Sequence, residues 1–81
     1  MSDFVEIITQ KLNEFQDASP VGKITLIVQM RSMFDHASLQ DGFDLIDSIN
    51  DMKKYQILVG VGMKGAFYYR LGKRVSALLG I

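Results

Sequence analysis

The residues whose spacing most resembles a chemical motif are Gly60-Val61-Gly62-Met63-Lys64-Gly65. They form a G-x-G-x-x-G run preceded by the apolar Tyr55-Gln56-Ile57-Leu58-Val59 and followed by a helical pattern. In a dinucleotide-binding turn, glycines so spaced let the backbone approach a pyrophosphate, and an acid about 20 positions later binds the ribose. Here no Asp or Glu follows Gly65, and the 16 residues that remain are too few for the second parallel strand. Two structural roles compete with nucleotide binding: Gly62 and Ala66, four apart, let a helix approach a neighbour closely, or the glycines form a hinge. Close packing is the expectation, with no cofactor.

His36 is the single histidine and stands beside Asp35, while cysteine is absent. Without cysteine the chain has no thiol nucleophile, zinc–thiolate centre, iron–sulfur cluster or disulfide. A zinc site needs three or four converging ligands, which one histidine and scattered carboxylates supply poorly. Ser32, Ser38 and Asp35 combine with His36 into a triad only on paper, because adjacent helical residues point apart and nothing resembles a nucleophile elbow. His36 suits a helix C-terminus, where the dipole favours it. Asp44 and Asp47 lie three apart on one face in the manner of paired carboxylates, but a solvated acidic face explains them more simply. No catalytic or metal-ligating residue is expected, and the chain is read as a non-enzyme.

Recognition is the chemistry that remains. Phe67, Leu71, Val75 and Leu78 line one face of the C-terminal helical pattern, Arg70, Lys73 and Arg74 gather on another, and Tyr68 and Tyr69 sit between. A basic amphipathic helix docks on an acidic protein groove, lies on an anionic membrane surface, or grips nucleic-acid phosphates; it is also the pattern of a core helix with a solvated basic side. The expected partner-binding set is Lys64, Phe67, Tyr68, Arg70, Leu71, Lys73, Arg74 and Val75, in which apolar members pack and cations steer. A nucleic-acid-binding regulator using the same cations is the alternative. It is the lesser reading because nine acids hold the sequence pI near 6.5.

These side chains need helices to position them. Phe4, Ile8, Leu12 and Phe15 recur at helical spacing, and Asp3 with Glu6 fits a capping-box variant, so a first helix is expected from residue 3 to about 16. Ser19 and Pro20 have the form of an N-cap and first helical residue. The helix that follows, through Phe34, is apolar on more than one side, which marks a buried or interfacial element. Ser38 with Asp41 opens a third helix along Leu39, Phe43, Ile46 and Ile49, and Asn50-Asp51 marks a turn. A fourth helix is expected from about residue 52, a weak point over residues 60–65, where glycines cost about 1 kcal/mol each in a helix, and a last helix over about residues 64–79.

Eighty-one residues, 48% of them hydrophobic and 22% charged, make a single helical domain spanning residues 1–81. The expected fold is all-α, a small bundle of four to five helices, and so apolar a chain of this size is expected to form a homo-oligomer. The formal charge of zero conceals a separation. Residues 1–51 hold all nine acids against Lys11, Lys23 and Arg31, net −6, whereas residues 52–81 hold Lys53, Lys54, Lys64, Arg70, Lys73 and Arg74 with no acid, net +6. Either the halves neutralise each other on folding, or they serve an electrostatic partner or head-to-tail association. The acids Asp3 and Glu6 stand where a signal peptide carries positive charge, and the longest uncharged stretch, residues 55–63, is short of the ~20 residues of a membrane span. A cytoplasmic protein is expected.

Ile27-Val28-Gln29-Met30-Arg31-Ser32-Met33-Phe34-Asp35 and Val59-Gly60-Val61-Gly62-Met63-Lys64-Gly65-Ala66-Phe67, with the length and the lack of cysteine, carry a family likeness. In these the chain resembles the small cytoplasmic lysis-inhibition accessory proteins of T4-type bacteriophages, the rapid-lysis class. The resemblance implies an antiholin-like regulator in the host cytoplasm that binds the cytoplasmic part of a holin and delays membrane permeabilisation. It transfers no catalytic residue. A regulator that binds a protein partner, with peripheral contact to a membrane surface, is the functional expectation.

Overall fold

The computed structural model describes residues 3–81. Among them the chain forms five α-helices and no strand: α1 Asp3–Asp17, α2 Pro20–Asp35, α3 Leu39–Ser48, α4 Met52–Val61 and α5 Gly65–Leu79. The starts of α2, α3 and α4 fall where a side chain accepts from amides that a helix leaves unbonded, whereas Lys64 ahead of α5 makes no such bond. Ser19 accepts from the Gly22 N–H at 3.1 Å, and Pro20 takes the first helical position. Ser38 accepts from the Asp41 N–H at 3.1 Å, and Asp51 from the Lys53 N–H at 2.9 Å. Asp3 and Glu6 both lie in the first turn of α1, where they complement the helix dipole; Asp3 is a helical residue, not a cap outside the helix.

The ends are equally marked. At the end of α2 the His36 N–H donates to the Met33 carbonyl, and the His36 ring Nδ1 bonds the Ser32 carbonyl at 2.9 Å, so this side chain closes a helix as its position implied. Helix α4 stops at Gly62, whose φ of +78° is the left-handed conformation that a residue without Cβ adopts freely.

The five helices close a ring. α1 packs against α2 and α3, α3 against α5, α5 against α4, and α4 against α2. Each contributes side chains to one apolar interior, among them Ile8 and Leu12, Met30 and Phe34, Leu45 and Ile46, Leu58 and Val61, and Leu71. Phe4 and Phe15, the outer members of the α1 stripe, pack at its margin. Helix α2 buries Leu26, Met30 and Phe34 but leaves Val21, Ile24 and Val28 in solvent.

Close helix approach is present, but at a different glycine from the one the sequence pointed to. Gly62 ends α4 with the Arg31 guanidinium lying against it, and Ala66 is exposed on α5. The tight crossing joins α3 to α5 at Gly42, where an added Cβ would stand 2.2 Å from Phe67 Cε1. Phe67 is wedged there, its ring centroid 5.6 Å from that of Phe34 and 5.8 Å from that of Phe43, both edge-on. The G-x-G-x-x-G run is thus divided: Gly60 lies in α4, Gly62 caps it, and Gly65 opens α5. A helix occupies the segment that a dinucleotide turn requires as a strand.

Candidate partner-binding surface

Helix α5 sorts the eight expected binding residues by direction. Leu71 is buried, and Phe67 and Val75, partly buried, pack against the core, so these three hold α5 to the bundle. The periodicity had placed them correctly on one face; that face is the interior. Their burial is what fixes the rotation of α5 and hence which residues turn outward.

Arg70 and Arg74 are also committed within the fold. Arg70 makes a two-point contact with Asp47 of α3, Nε to Oδ1 at 3.0 Å and Nη2 to Oδ2 at 2.7 Å, while its guanidinium carbon lies 4.6 Å from the Phe43 ring centre. The hydrogen bond from Arg70 holds the Asp47 carboxyl below its ordinary pKa; desolvation opposes it, and the charges of Arg70 and then Arg74 add to the lowering. This contact joins the acidic first half of the chain to the basic second half.

Arg74 performs a different task. Its Nη2 donates to the carbonyls of Asp47 at 3.3 Å and Ile49 at 3.2 Å, and its Nε donates to the Tyr55 hydroxyl at 3.2 Å. Tyr55, buried on α4, donates in turn toward the Ile46 and Ile49 carbonyls. The last carbonyls of a helix lack intrahelical donors and carry its negative end, so a guanidinium and a phenol from two other helices complete α3. Sequence reasoning grouped Arg74 with Lys73 as free positive charge; what it missed is that orphan carbonyls recruit arginine.

Lys64, Tyr68 and Lys73 remain as the outward members of the set. Beside them stands Tyr69, which the predicted set omitted although a spacing of four from Gly65 and three to Gly72 places all three on one helical face. Tyr68 and Tyr69 are 59% and 66% exposed. Lys73 Nζ lies 5.2 Å from the Tyr69 ring centre, a cation held over an aromatic face. Tyr68, Tyr69 and Lys73 border a groove of about 580 Å³ that Gly65, Gly72 and Ser76 also line. No atom outside the helix's own backbone comes within 4 Å of a Cβ placed on Gly65 or Gly72, so both glycines open to solvent.

The surface offers aromatic contact and positive charge, and α5 contains no carboxylate. With Arg70 and Arg74 engaged, two of the six C-terminal cations counted toward a nucleic-acid surface are bonded internally. Catalytic arrangements are equally sparse. Asp47 is held by Arg70, and Asp44 accepts from Gln40 at 2.7 Å, so these carboxylates are not a bridging pair. Among the described residues no group of three or more His, Asp or Glu side chains is placed to hold a metal ion, and no helix is long and apolar enough to cross a membrane. Compared with protein-family models, curated proteins and solved structures, the chain matches none.

Proposed function

We propose that the protein is a non-enzymatic regulator that works by binding another protein through the outward face of α5. The observation that carries this reading is the pair of exposed tyrosines, Tyr68 and Tyr69, beside a groove lined by Gly65, Gly72 and Lys73, with Lys64 exposed just before the helix. Tyrosines of this kind bring large contact area at low conformational-entropy cost, and they rank among the side chains that dominate protein interfaces. The glycines let a partner backbone come close, and the lysines favour a partner that carries carboxylates. An amphipathic helix with acidic residues beside its apolar stripe fits that description.

The lysis-inhibition resemblance nominates the cytoplasmic segment of a holin as this partner and the host cytoplasm as the place of action. A titration of the purified protein against a labelled holin segment tests both. Tyr68→Ala and Tyr69→Ala should each weaken binding about tenfold, the order of a moderate interface hot spot. Lys64→Glu with Lys73→Glu should slow association and reduce its salt dependence. Undiminished affinity in the tyrosine variants would reject the surface. Pull-down from host extract with the same variants finds the partner if it is another protein.

A further inference from the structure

We propose that the groove between α2 and α4 is a binding site for a free single-chain amphiphile with an anionic head, of which a medium-chain carboxylate is the simplest case. The groove holds about 500 Å³, within the range of small-molecule sites, and shares no residue with the α5 surface. Phe15 of α1, Lys23 and Ile27 of α2, and Lys53, Ile57 and Gly60 of α4 line it.

Its two ends differ in chemistry. Ile27 meets Gly60, where an added Cβ would stand 3.8 Å from Ile27 Cδ1, and Arg31, one turn on, reaches the Val61 carbonyl and Gly62. Residue number therefore rises in the same direction along both helices. Lys23, one turn before Ile27, and Lys53, two turns before Gly60, fall toward one end of the groove, where both helices begin. Ile27, Ile57 and Gly60 form the other end, about 5–10 Å away by the rise of a helix. Positive charge followed by apolar surface is the polarity of an amphiphile laid along the groove.

The fold leaves the two lysines without an anion. Arg70 with Asp47 is the one ion pair among the described residues, so neither ammonium is matched to a carboxylate. Lys23 Nζ lies 5.4 Å from the Phe15 ring centre, a contact that holds it beside the groove and leaves its N–H groups for an acceptor. None of the lining residues is acidic. Of the acids nearest in sequence, Glu14 and Asp17 are exposed on α1 and do not line the groove, and Asp51 accepts from the Lys53 N–H as the cap of α4. Ser19 caps α2 in the same way, so the ammonium groups, and not helix amides, would hold the anion. An uncharged occupant leaves both lysines unanswered, and a bare anion leaves Ile27 and Ile57 uncovered. A ligand with both parts answers each.

Decanoate is the probe, titrated into the full chain and followed by amide NMR shifts; the outcome is independent of what α5 binds. At the affinity per atom usual for small ligands its Kd should be about 0.1–1 mM, with shifts concentrated over residues 23–27 and 53–60. Decyltrimethylammonium, which keeps the tail and reverses the charge, and acetate, which keeps the head alone, should each bind at least about tenfold more weakly. Lys23→Gln with Lys53→Gln should weaken decanoate about fivefold to tenfold, and Lys64→Gln with Lys73→Gln should leave its affinity unchanged. Gly60→Leu should abolish binding by filling the apolar end. Should leucine unsettle the fold, Gly60→Ala, whose Cβ finds ordinary contact with Ile27, should still weaken binding by a smaller factor. Equal shifts from decanoate and decyltrimethylammonium, or undiminished affinity in the Lys23 and Lys53 double variant, would overturn the proposal. So would acetate binding as tightly as decanoate, or retention on phosphatidylglycerol vesicles with no binding of free decanoate.

Discussion

Replacing Gly42 by alanine should destabilise the protein, against the preference of helices for alanine. In an exposed helix interior that change gains about 1 kcal/mol. At Gly42 the new methyl would stand 2.2 Å from Phe67 Cε1 and 2.7 Å from Cζ, distances that require one of them to move. Phe67 has little freedom to yield: Phe34 and Phe43 meet its ring edge-on, and Leu71, one turn on, is buried. Forcing a methyl into such a site costs about 1–3 kcal/mol by displacement of side chains and backbone. The depth of the overlap with Phe67 puts the cost in the upper part of that range, about 2–3 kcal/mol, so that after the propensity gain of about 1 kcal/mol a net loss of about 1–2 kcal/mol remains. For a domain of this size each kcal/mol moves the melting temperature by about 4–8 °C, so a fall of roughly 5–15 °C is expected by far-ultraviolet circular dichroism. Gly72→Ala is the matched control, because that position has open space and should rise by about 0.5–1 kcal/mol. In the background Phe67→Ala the penalty of Gly42→Ala should vanish. A Gly42→Ala protein as stable as the wild type would refute the packing argument.

Two further outcomes follow from the end of α3. Tyr55→Phe strips the donor from the Ile46 and Ile49 carbonyls and the acceptor from Arg74, so the urea midpoint should fall by the equivalent of about 1–3 kcal/mol; an unchanged midpoint would remove Tyr55 from the cap. Asp47→Asn should cost less than about 1 kcal/mol at neutral pH, because the pair with Arg70 is well exposed to solvent. The Asp47 carboxyl titrates below its usual range in the fold, so its contribution is complete above the unfolded pKa of about 3.9 and is lost as pH falls through the lowered folded value. The asparagine variant should therefore show a shallower acid limb in stability against pH, and an identical limb would show that the pair does not contribute.

Much of the fold was legible because helix boundaries are local. Ser19-Pro20, Ser38 and Asp51 each satisfy amides within three residues, and the expected starts at residues 20 and 52 agree with the structure. The inward faces were legible for the same reason: Ile8 with Leu12, and Leu71 with Val75, follow from a repeat of 3.6 residues. What a periodic pattern does not contain is the identity of the opposite surface. Nothing in the spacing singles out Gly42, because its partner, Phe67, lies in another helix, whereas Gly62 draws attention through a spacing that resembles a packing motif. The cations erred in the same direction. Arg70, Lys73 and Arg74 form one cluster in sequence, but α3 presents a carboxylate and bare carbonyls to two of them and nothing to the third, a division set by tertiary contact alone.

The order of helices around the ring has a bearing on synthesis. Three of its five seams, α1 with α3, α2 with α4 and α3 with α5, join helices that are not consecutive in the chain. No leading fragment can complete the enclosure, because α5 supplies the seams with both α3 and α4. A nascent chain that has released only four helices still exposes Leu45, Ile46 and Leu58, so stable folding must wait until residues 65–79 clear the ribosome, and a chain truncated before them should be degraded and not accumulate as a shorter bundle.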